Sequence, residues 1–300
     1  MTNMAISNFF NFLSAIRCPR CKNRLIFKKN YPYCSSCGER YKELDGVFIL
    51  NNKRNFSKQE LKQVNYFNRH KPTIEGEYVL EEWHKSFLSR FLSIFKDVRN
   101  KTVVDLGPGQ GYMTFELARA GAKVLAIDLS EKTLLRLSKI AKKKKLSKNI
   151  CFICCSAENL SLRTGSVDII VANAILEHLE KENEVIKEIS RISKKSAGLM
   201  ITVPLSFRYL FPPLIPIFWY KDKKIGHLRR YDEQTLITKF SPYGFKKQAV
   251  FYTGHPRKIL MTFLSYLLKT HSLDFKIEEI DKSEESVKFW ASNICMIFKK

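Results

Sequence analysis

The sequence predicts an α/β fold built around a mostly parallel sheet, preceded by a small cysteine-rich module. Three observations carry this. From Thr102 to Pro204, short apolar runs alternate with stretches of helical periodicity. A glycine turn, Asp105-Leu106-Gly107-Pro108-Gly109-Gln110-Gly111, joins the first run to the first helical stretch. Two Cys-x-x-Cys pairs stand ahead of both.

The pairs are Cys18-Pro19-Arg20-Cys21 and Cys34-Ser35-Ser36-Cys37, with twelve residues between them. Each folds backbone amides toward two thiolates, and two such knuckles close a tetrahedral Zn²⁺ site. No signal-peptide pattern precedes them, so disulfides are disfavoured. A segment of roughly forty residues has too little core to fold alone, and bound metal supplies the missing free energy. Cys18, Cys21, Cys34 and Cys37 are therefore read as ligands of a structural zinc with no open position. Cys151, Cys154, Cys155 and Cys295 fall in apolar runs and read as small core residues.

Thr102-Val103-Val104 reads as a strand entering the glycine turn. Glycine adopts backbone angles that a Cβ forbids and lets a ligand approach the main chain. The helix that follows offers free N–H groups at its N-terminus. A second strand, Ala122 to Ile127, ends at Asp128. An acid about 20 residues beyond such a turn can accept both hydroxyls of a ribose. The glycine spacing departs from the Gly-x-Gly-x-x-Gly of dinucleotide sites, which need room for a pyrophosphate. Asn149 to Cys155 is a third strand, followed by Ser156-Ala157-Glu158. Val167 to Asn173 is almost wholly apolar, the signature of a central parallel strand covered on both faces. Lys181 to Ser193 is a helix with Val185, Ile186, Ile189 and Ile192 on one face. Gly198 to Pro204 makes a fifth strand. Asp232 to Ser241 reads as a helix stopped before Pro242. Phe245 to Tyr252 and Ser292 to Phe298 are the last strands, with a helical pattern from Lys258 to Lys269 between them. Ile277 to Ser286 fits a loop or a short helix.

Val103 to Tyr112 resembles the first motif of class I S-adenosylmethionine-dependent methyltransferases. The segments at Asp128, Ser156, Asn173 and Thr202 follow in that family's order and spacing. The resemblance covers Tyr66 to Lys300. It implies a Rossmann-like, mostly parallel seven-stranded sheet with an antiparallel pair at one edge. It implies S-adenosylmethionine as cofactor, held by Asp105, Gly107, Gly109, Gly111, Asp128, Leu129, Ser156, Ala157, Glu158 and Asn173. The family often has Asp where this chain has Ser156, so one adenine hydrogen bond is not expected here. Tyr41 to Leu50 resembles the end of zinc-ribbon modules fused to methyltransferases or partnering them, some of which act on ribosomal RNA.

In this family the methyl acceptor lies between the segment before the first strand, Tyr66 to Phe95, and the insertion after the fifth, Leu205 to Tyr231. Gly226-His227-Leu228-Arg229-Arg230-Tyr231-Asp232 resembles a stretch in methyltransferases acting on sugar, polyprenyl-lipid or other small acceptors. His227 and His178 are the candidates to take a proton, since histidine titrates near neutrality. Arg229 and Arg230 are candidates to bind a carboxylate or phosphate bidentately, with Tyr231 beside them. His84 is a candidate to close the pocket from the N-terminal side. The plainer reading gives Asp232 the next helix cap and leaves the arginines on the surface.

The expected organisation is an N-terminal segment and zinc ribbon over 1–55, a helical linker or cap over 56–98, and a cofactor-binding domain over 99–300 with a substrate insertion at 205–231. The net charge of +23 admits a nucleic acid or an anionic membrane as partner. Lysines scattered in runs such as Lys142 to Lys145 account for it equally well. Leu210 to Tyr220, apolar and followed by Lys221, Lys223 and Lys224, fits a lid over the site or a membrane-interface segment. No run reaches the roughly 18 apolar residues of a membrane span. The expectation is a cytoplasmic enzyme, with attachment to a membrane surface as a second possibility. Its acceptor is a small molecule, a glycan or a lipid-linked compound; the alternative is an RNA methyltransferase that grips RNA with the ribbon and the basic surface.

Overall fold

The computed structural model describes residues 12–28, 31–51, 56–69, 82–267 and 274–300. Phe9, Phe10, residues 70–81 of the expected cap and the end of the Lys258–Lys269 pattern lie outside the described residues. The N-terminal module holds an antiparallel pair, β1 (Leu25–Lys28) and β2 (Tyr31–Cys34). A second pair follows, β3 (Lys42–Leu44) and β4 (Val47–Ile49). Asp45 (φ 52°) and Gly46 (φ 88°) turn between them, the left-handed two-residue turn that an Asp-Gly dipeptide favours. Helices α1 (Lys58–Arg69) and α2 (Glu82–Ile94) lead into the main domain.

There the chain alternates as the apolar runs predict. The order is β5 (Thr102–Leu106), α3 (Tyr112–Arg119), β6 (Lys123–Asp128), α4 (Glu131–Lys143), β7 (Ile150–Cys154), β8 (Val167–Asn173), α5 (Glu182–Ile192) and β9 (Ser193–Pro204). Leu210 to Tyr220 becomes a short 3₁₀ turn and the start of α6 (Ile215–Ile225). Then come α7 (Glu233–Phe240), β10 (Lys246–Thr253), α8 (Pro256–Leu267), α9 (Asp274–Ser283) and β11 (Asn293–Lys299). The segment left open between loop and helix is thus largely helical. Asp232 caps α7, its side chain accepting the Thr235 N–H.

Among the described residues the main sheet has nine strands, in the order β10-β11-β9-β8-β5-β6-β7-β4-β3. Seven of the nine, β10-β11-β9-β8-β5-β6-β7, are the expected mostly parallel sheet with its antiparallel edge, and β4 and β3 extend it. The added strands come from the N-terminal module, where Tyr41 to Leu50 read only as the end of a ribbon. β4 pairs in parallel with β7, Val47 opposite Phe152 and Ile49 opposite Cys154. All five residues of β7 are buried, and an uncovered edge beside them would leave amides and carbonyls unpaired. β4, itself fully buried, covers that edge.

Alternate residues of each central strand feed opposite faces. Val104, Leu125 and Ile170 join one apolar cluster, while Val103, Val124 and Ile169 join the other. The chain runs from β5 to β6 on one side, then crosses back to β8 on the other. That reversal opens a crevice beyond the carboxyl end of β5, the place where such sheets bind ligands. No described helix is long and apolar enough to cross a membrane.

Candidate functional site

The glycine turn leaves β5 at Asp105. This carboxylate is 2% exposed and accepts the Thr114 hydroxyl at 2.5 Å. Burial pushes its pKa up to about 6, against the pull of the Thr114 bonds. Gly107, Gly109 and Gly111 all have positive φ. They differ in what surrounds them. A Cβ on Gly107 would lie 2.9 Å from the Ile175 side chain, and one on Gly111 would lie 2.6 Å from Leu137. A Cβ on Gly109 would meet nothing within 4 Å among the described residues. The open side of the turn is therefore at Gly109, and Gly107 backs onto protein.

Asp128 closes β6 beside this turn and is half-buried. Its Oδ1 accepts the Ser130 N–H at 2.7 Å. Enclosure by protein raises its carboxyl to about 6; backbone N–H bonds from Ser130 and Leu129 and the charge of Arg136 oppose the rise. Arg136 also donates to the Gly109 carbonyl at 2.8 Å, pinning the turn to α4. Leu129 is half-buried next to Asp128. Beyond β7, Ser156 accepts the Glu158 N–H and contacts the Glu60 carboxylate at 3.5 Å. Ala157 is buried, and Glu158 is paired with Lys181. A cleft of about 1110 Å³ runs from Ser156 and Glu158 past Ser57 and Glu60 to Arg40 and Tyr41 of the cysteine module.

At the end of β8, Asn173 Nδ2 donates to the Tyr112 hydroxyl at 2.8 Å. His84 is buried with its ring 4.0 Å from that of Tyr112. It thus reaches the glycine-turn side of the site from α2. Ala174 follows in a left-handed conformation (φ 52°), a strained backbone for a residue with a Cβ.

The next turn holds Glu177 and His178, both buried. Burial pushes Glu177 up to about 8. Burial, then the nearby His227, lowers His178 to about 4, so it is neutral at pH 7. The His178 and His227 rings lie 4.7 Å apart at 73°. His227 Nδ1 is 2.8 Å from Asp222 Oδ1. Asp222 in turn receives Arg230 Nε at 2.6 Å and Nη2 at 3.1 Å. Burial works against its charge, yet His227 and Arg230 keep Asp222 below the usual carboxylate range. Arg229 donates to the Leu179 carbonyl, and the Tyr231 hydroxyl donates to Glu182 at 2.6 Å. The structure therefore brings His178 and His227 together but commits Arg229, Arg230 and Tyr231 to internal bonds.

The four cysteine sulfurs converge, all within 4.8 Å of one another. Cys21 Sγ is 3.4 Å from Cys34 Sγ, and Cys18 Sγ is 3.6 Å from Cys37 Sγ. Sulfurs each 2.3 Å from one tetrahedral ion are about 3.8 Å apart, so the set suits such an ion. Lys22 (φ 58°) and Gly38 (φ 74°) turn the two knuckles in the same left-handed way.

Sequence reasoning expected a helical linker or cap over 56–98 but singled out none of the α1 residues that touch the site. Gln59 and Gln63 donate to the Gly226 carbonyl, Asn68 accepts the Ser130 hydroxyl at 2.7 Å, and the Phe67 ring meets His178 at 5.8 Å. The polar residues of α1 carry no motif, so no local signal marked them.

A family model described as a methyltransferase domain matches residues 104–201. The chain is 30% identical over 159 residues to phosphoethanolamine N-methyltransferase 1 of Triticum aestivum, covering 50% of this chain and 31% of that protein. It is 33% identical over 133 residues to the ubiquinone biosynthesis O-methyltransferase of Pelagibacter ubique, covering 44% of this chain and 53% of that protein. The chain thus spans about half or less of the length of these relatives. The geranyl diphosphate C-methyltransferase of Streptomyces coelicolor, solved with Mg²⁺, geranyl diphosphate and S-adenosyl-L-homocysteine, has the same fold. Its TM-score is 0.59 at 13% identity, over 81% of this chain and 98% of that one. Residues 104–201 thus match a methyltransferase domain, within an α/β fold shared with a solved methyltransferase.

Proposed function

We propose that this chain transfers a methyl group from S-adenosylmethionine to a small-molecule acceptor. One observation carries the reading: a half-buried carboxylate, Asp128, stands beside a glycine turn whose open side is Gly109. Asp128 and Leu129 would hold the ribose and one adenine face. Ser156, Ala157 and Glu158 would line the adenine edge. Asp105, Gly107, Gly109, Gly111 and Asn173 would surround the methionine part. The bound cofactor supplies an electrophilic methyl carbon. The chain's own residues then need only align the acceptor, exclude water and take up a proton.

His178, neutral at pH 7, and His227, oriented by Asp222, are the groups able to take that proton. Arg229, Arg230 and Tyr231 act on the acceptor indirectly, by holding the 205–231 insertion and His227 in place. Relatives named for phosphoethanolamine and for ubiquinone biosynthesis favour a small acceptor, with a lipid-linked or glycan hydroxyl as the finer reading. The thiolates of Cys18, Cys21, Cys34 and Cys37 would hold a structural Zn²⁺, with Tyr41 and Asn23 in contact with two of the sulfurs. The test is calorimetric binding of S-adenosylmethionine, then transfer of labelled methyl into fractionated cell extract. Label should enter the lipid or small-molecule fraction; label confined to RNA would overturn the acceptor class.

A further inference from the structure

We infer that Glu177, His178 and His227 form a second metal site, for a divalent transition ion, separate from the four cysteines. One donor atom from each of the three lies within 4.8 Å of the other two. The set is one carboxylate and two imidazoles, which suits Zn²⁺, Mn²⁺, Fe²⁺ or Co²⁺ rather than Ca²⁺ or Mg²⁺.

A second observation points the same way. Glu177 Oε2 and His178 Nδ1 are both buried with no hydrogen-bond partner among the described residues. Buried polar atoms are almost always paired, because removing them from water is costly. Two orphans in adjacent residues, both in one three-residue cluster, indicate a shared partner that carries positive charge. His227 Nε2 is 4.0 Å from Glu177 Oε1. That is too long for a hydrogen bond. It is within the span of two ligands that each lie about 2.1 Å from one ion.

The outer contacts also fit. Metal-bound histidines usually give their other nitrogen to a carboxylate, which fixes the ring. His227 does this through Nδ1 to Asp222, and Arg230 holds Asp222 from the far side. Three protein ligands leave an open position. It would take water, or a hydroxyl or phosphate oxygen of the acceptor; with both imidazoles engaged by the ion, hydroxide on the ion would take the acceptor's proton in their place. That last clause rests on the methyl-transfer reading; the metal site itself does not.

Equilibrium dialysis of the full-length protein with Zn²⁺ tests the site, with no cofactor or acceptor present. Two equivalents are expected, one at the thiols and one at this cluster. Replacing the second ion with Co²⁺ should give weak visible bands without intense thiolate-to-cobalt absorption. Glu177→Gln, which preserves shape, and His227→Ala should each lose the second equivalent and keep the first. Asp222→Asn should weaken the second site by about 10–100-fold without abolishing it. Wild-type protein that binds only one equivalent overturns the inference, even if every variant fails to fold. A second equivalent that survives in folded Glu177→Gln and His227→Ala overturns it as well. Failure here leaves S-adenosylmethionine binding untouched, so the two readings fall separately.

Discussion

The Ser130 hydroxyl donates to Asn68 Oδ1 at 2.7 Å, joining residues 62 positions apart. Ser130 also caps α4 immediately after Asp128. The C-terminal end of α1 is thereby fastened to the strand end that offers Asp128. Its N-terminal end is fastened to the 205–231 insertion, through Gln59 and Gln63 to the Gly226 carbonyl. α1 lies across the site like a strap.

Asn68→Ala should loosen that strap. Losing one neutral hydrogen bond is worth about 0.5–1.5 kcal/mol, so the cofactor should dissociate about 2–10-fold faster. The cap to Thr133 remains, so thermal stability should fall by no more than that one bond is worth. Stopped-flow displacement of S-adenosylmethionine measures the rate. An unchanged rate would detach α1 from the cofactor site.

Asp128 makes binding depend on pH. Its carboxyl is raised to about 6, and only the ionised form accepts both ribose hydroxyls strongly. The dissociation constant should therefore rise as pH falls from 8 through 6, and Asp128→Asn should flatten the profile. Stability without cofactor should run the other way. A raised carboxyl penalises the folded state above its folded pKa, and the penalty disappears as pH falls toward the ordinary carboxylate value near 4. Asp105 adds in the same direction. A binding profile flat between pH 8 and 5 would remove Asp128 from the ribose.

The glycines should separate into two kinds. Gly111→Ala forces a Cβ against Leu137 and Phe115 at a φ of +88°. Overpacking and backbone strain should together cost about 2–4 kcal/mol. Gly109→Ala has open space and should cost only the strain, about 1 kcal/mol. Its methyl instead projects toward the proposed ligand. Denaturant unfolding should rank Gly111→Ala as the less stable variant, while calorimetry should show weakened cofactor binding for folded Gly109→Ala. Equal stability losses would contradict this geometry.

The parts that sequence could read were those written in short spacing. The glycine turn, the acid ending β6 and the paired knuckles each place chemistry within one or two elements. The parts it could not read depend on distant partners. Val47-Phe48-Ile49-Leu50 is a four-residue apolar run, and nothing local says that it will pair with β7 about a hundred residues on. Asp222 stands between Lys221 and Lys223, a pattern that reads as a solvated basic face. The fold instead buries it as the anchor of both His227 and Arg230.

A buried ion cluster ties α2 to α8 and α9. Asp281, 1% exposed, receives Arg90 at 3.0 Å and Lys258 at 2.9 Å. These three residues lie on α9, α2 and α8. Asp281→Ala strands the buried Lys258 and leaves Arg90 with Glu285 alone, and should destabilise the protein by about 3–5 kcal/mol. Arg90→Met should cost less, because Lys258 still pairs with Asp281. Chemical denaturation should rank them in that order, and the reverse order would place the weight on Arg90.

Zinc removal should not act on the N-terminal module alone. The thiolates of Cys18, Cys21, Cys34 and Cys37 should hold one Zn²⁺ at about 2.3 Å from each sulfur. Cys18, Leu25 and Cys34 belong to the same apolar cluster as Leu125 and Ile153 of the main sheet. β4 covers the edge of β7, and the Leu50 N–H donates to the Cys154 carbonyl at 2.8 Å. Chelation of the thiolate metal should therefore raise hydrogen exchange first over residues 16–44, then over β4 and the exposed edge of β7. β5 and β8 lie further inside the sheet and should stay protected, since local opening follows the weakest cooperative unit. Ser156 follows β7, so cofactor affinity should fall, but by less than about tenfold, the worth of roughly one hydrogen bond. Exchange that rises uniformly across β5 to β8 would mean that the metal holds the whole fold. Exchange that does not change at all over residues 16–44 would mean that the four cysteines hold no structural metal.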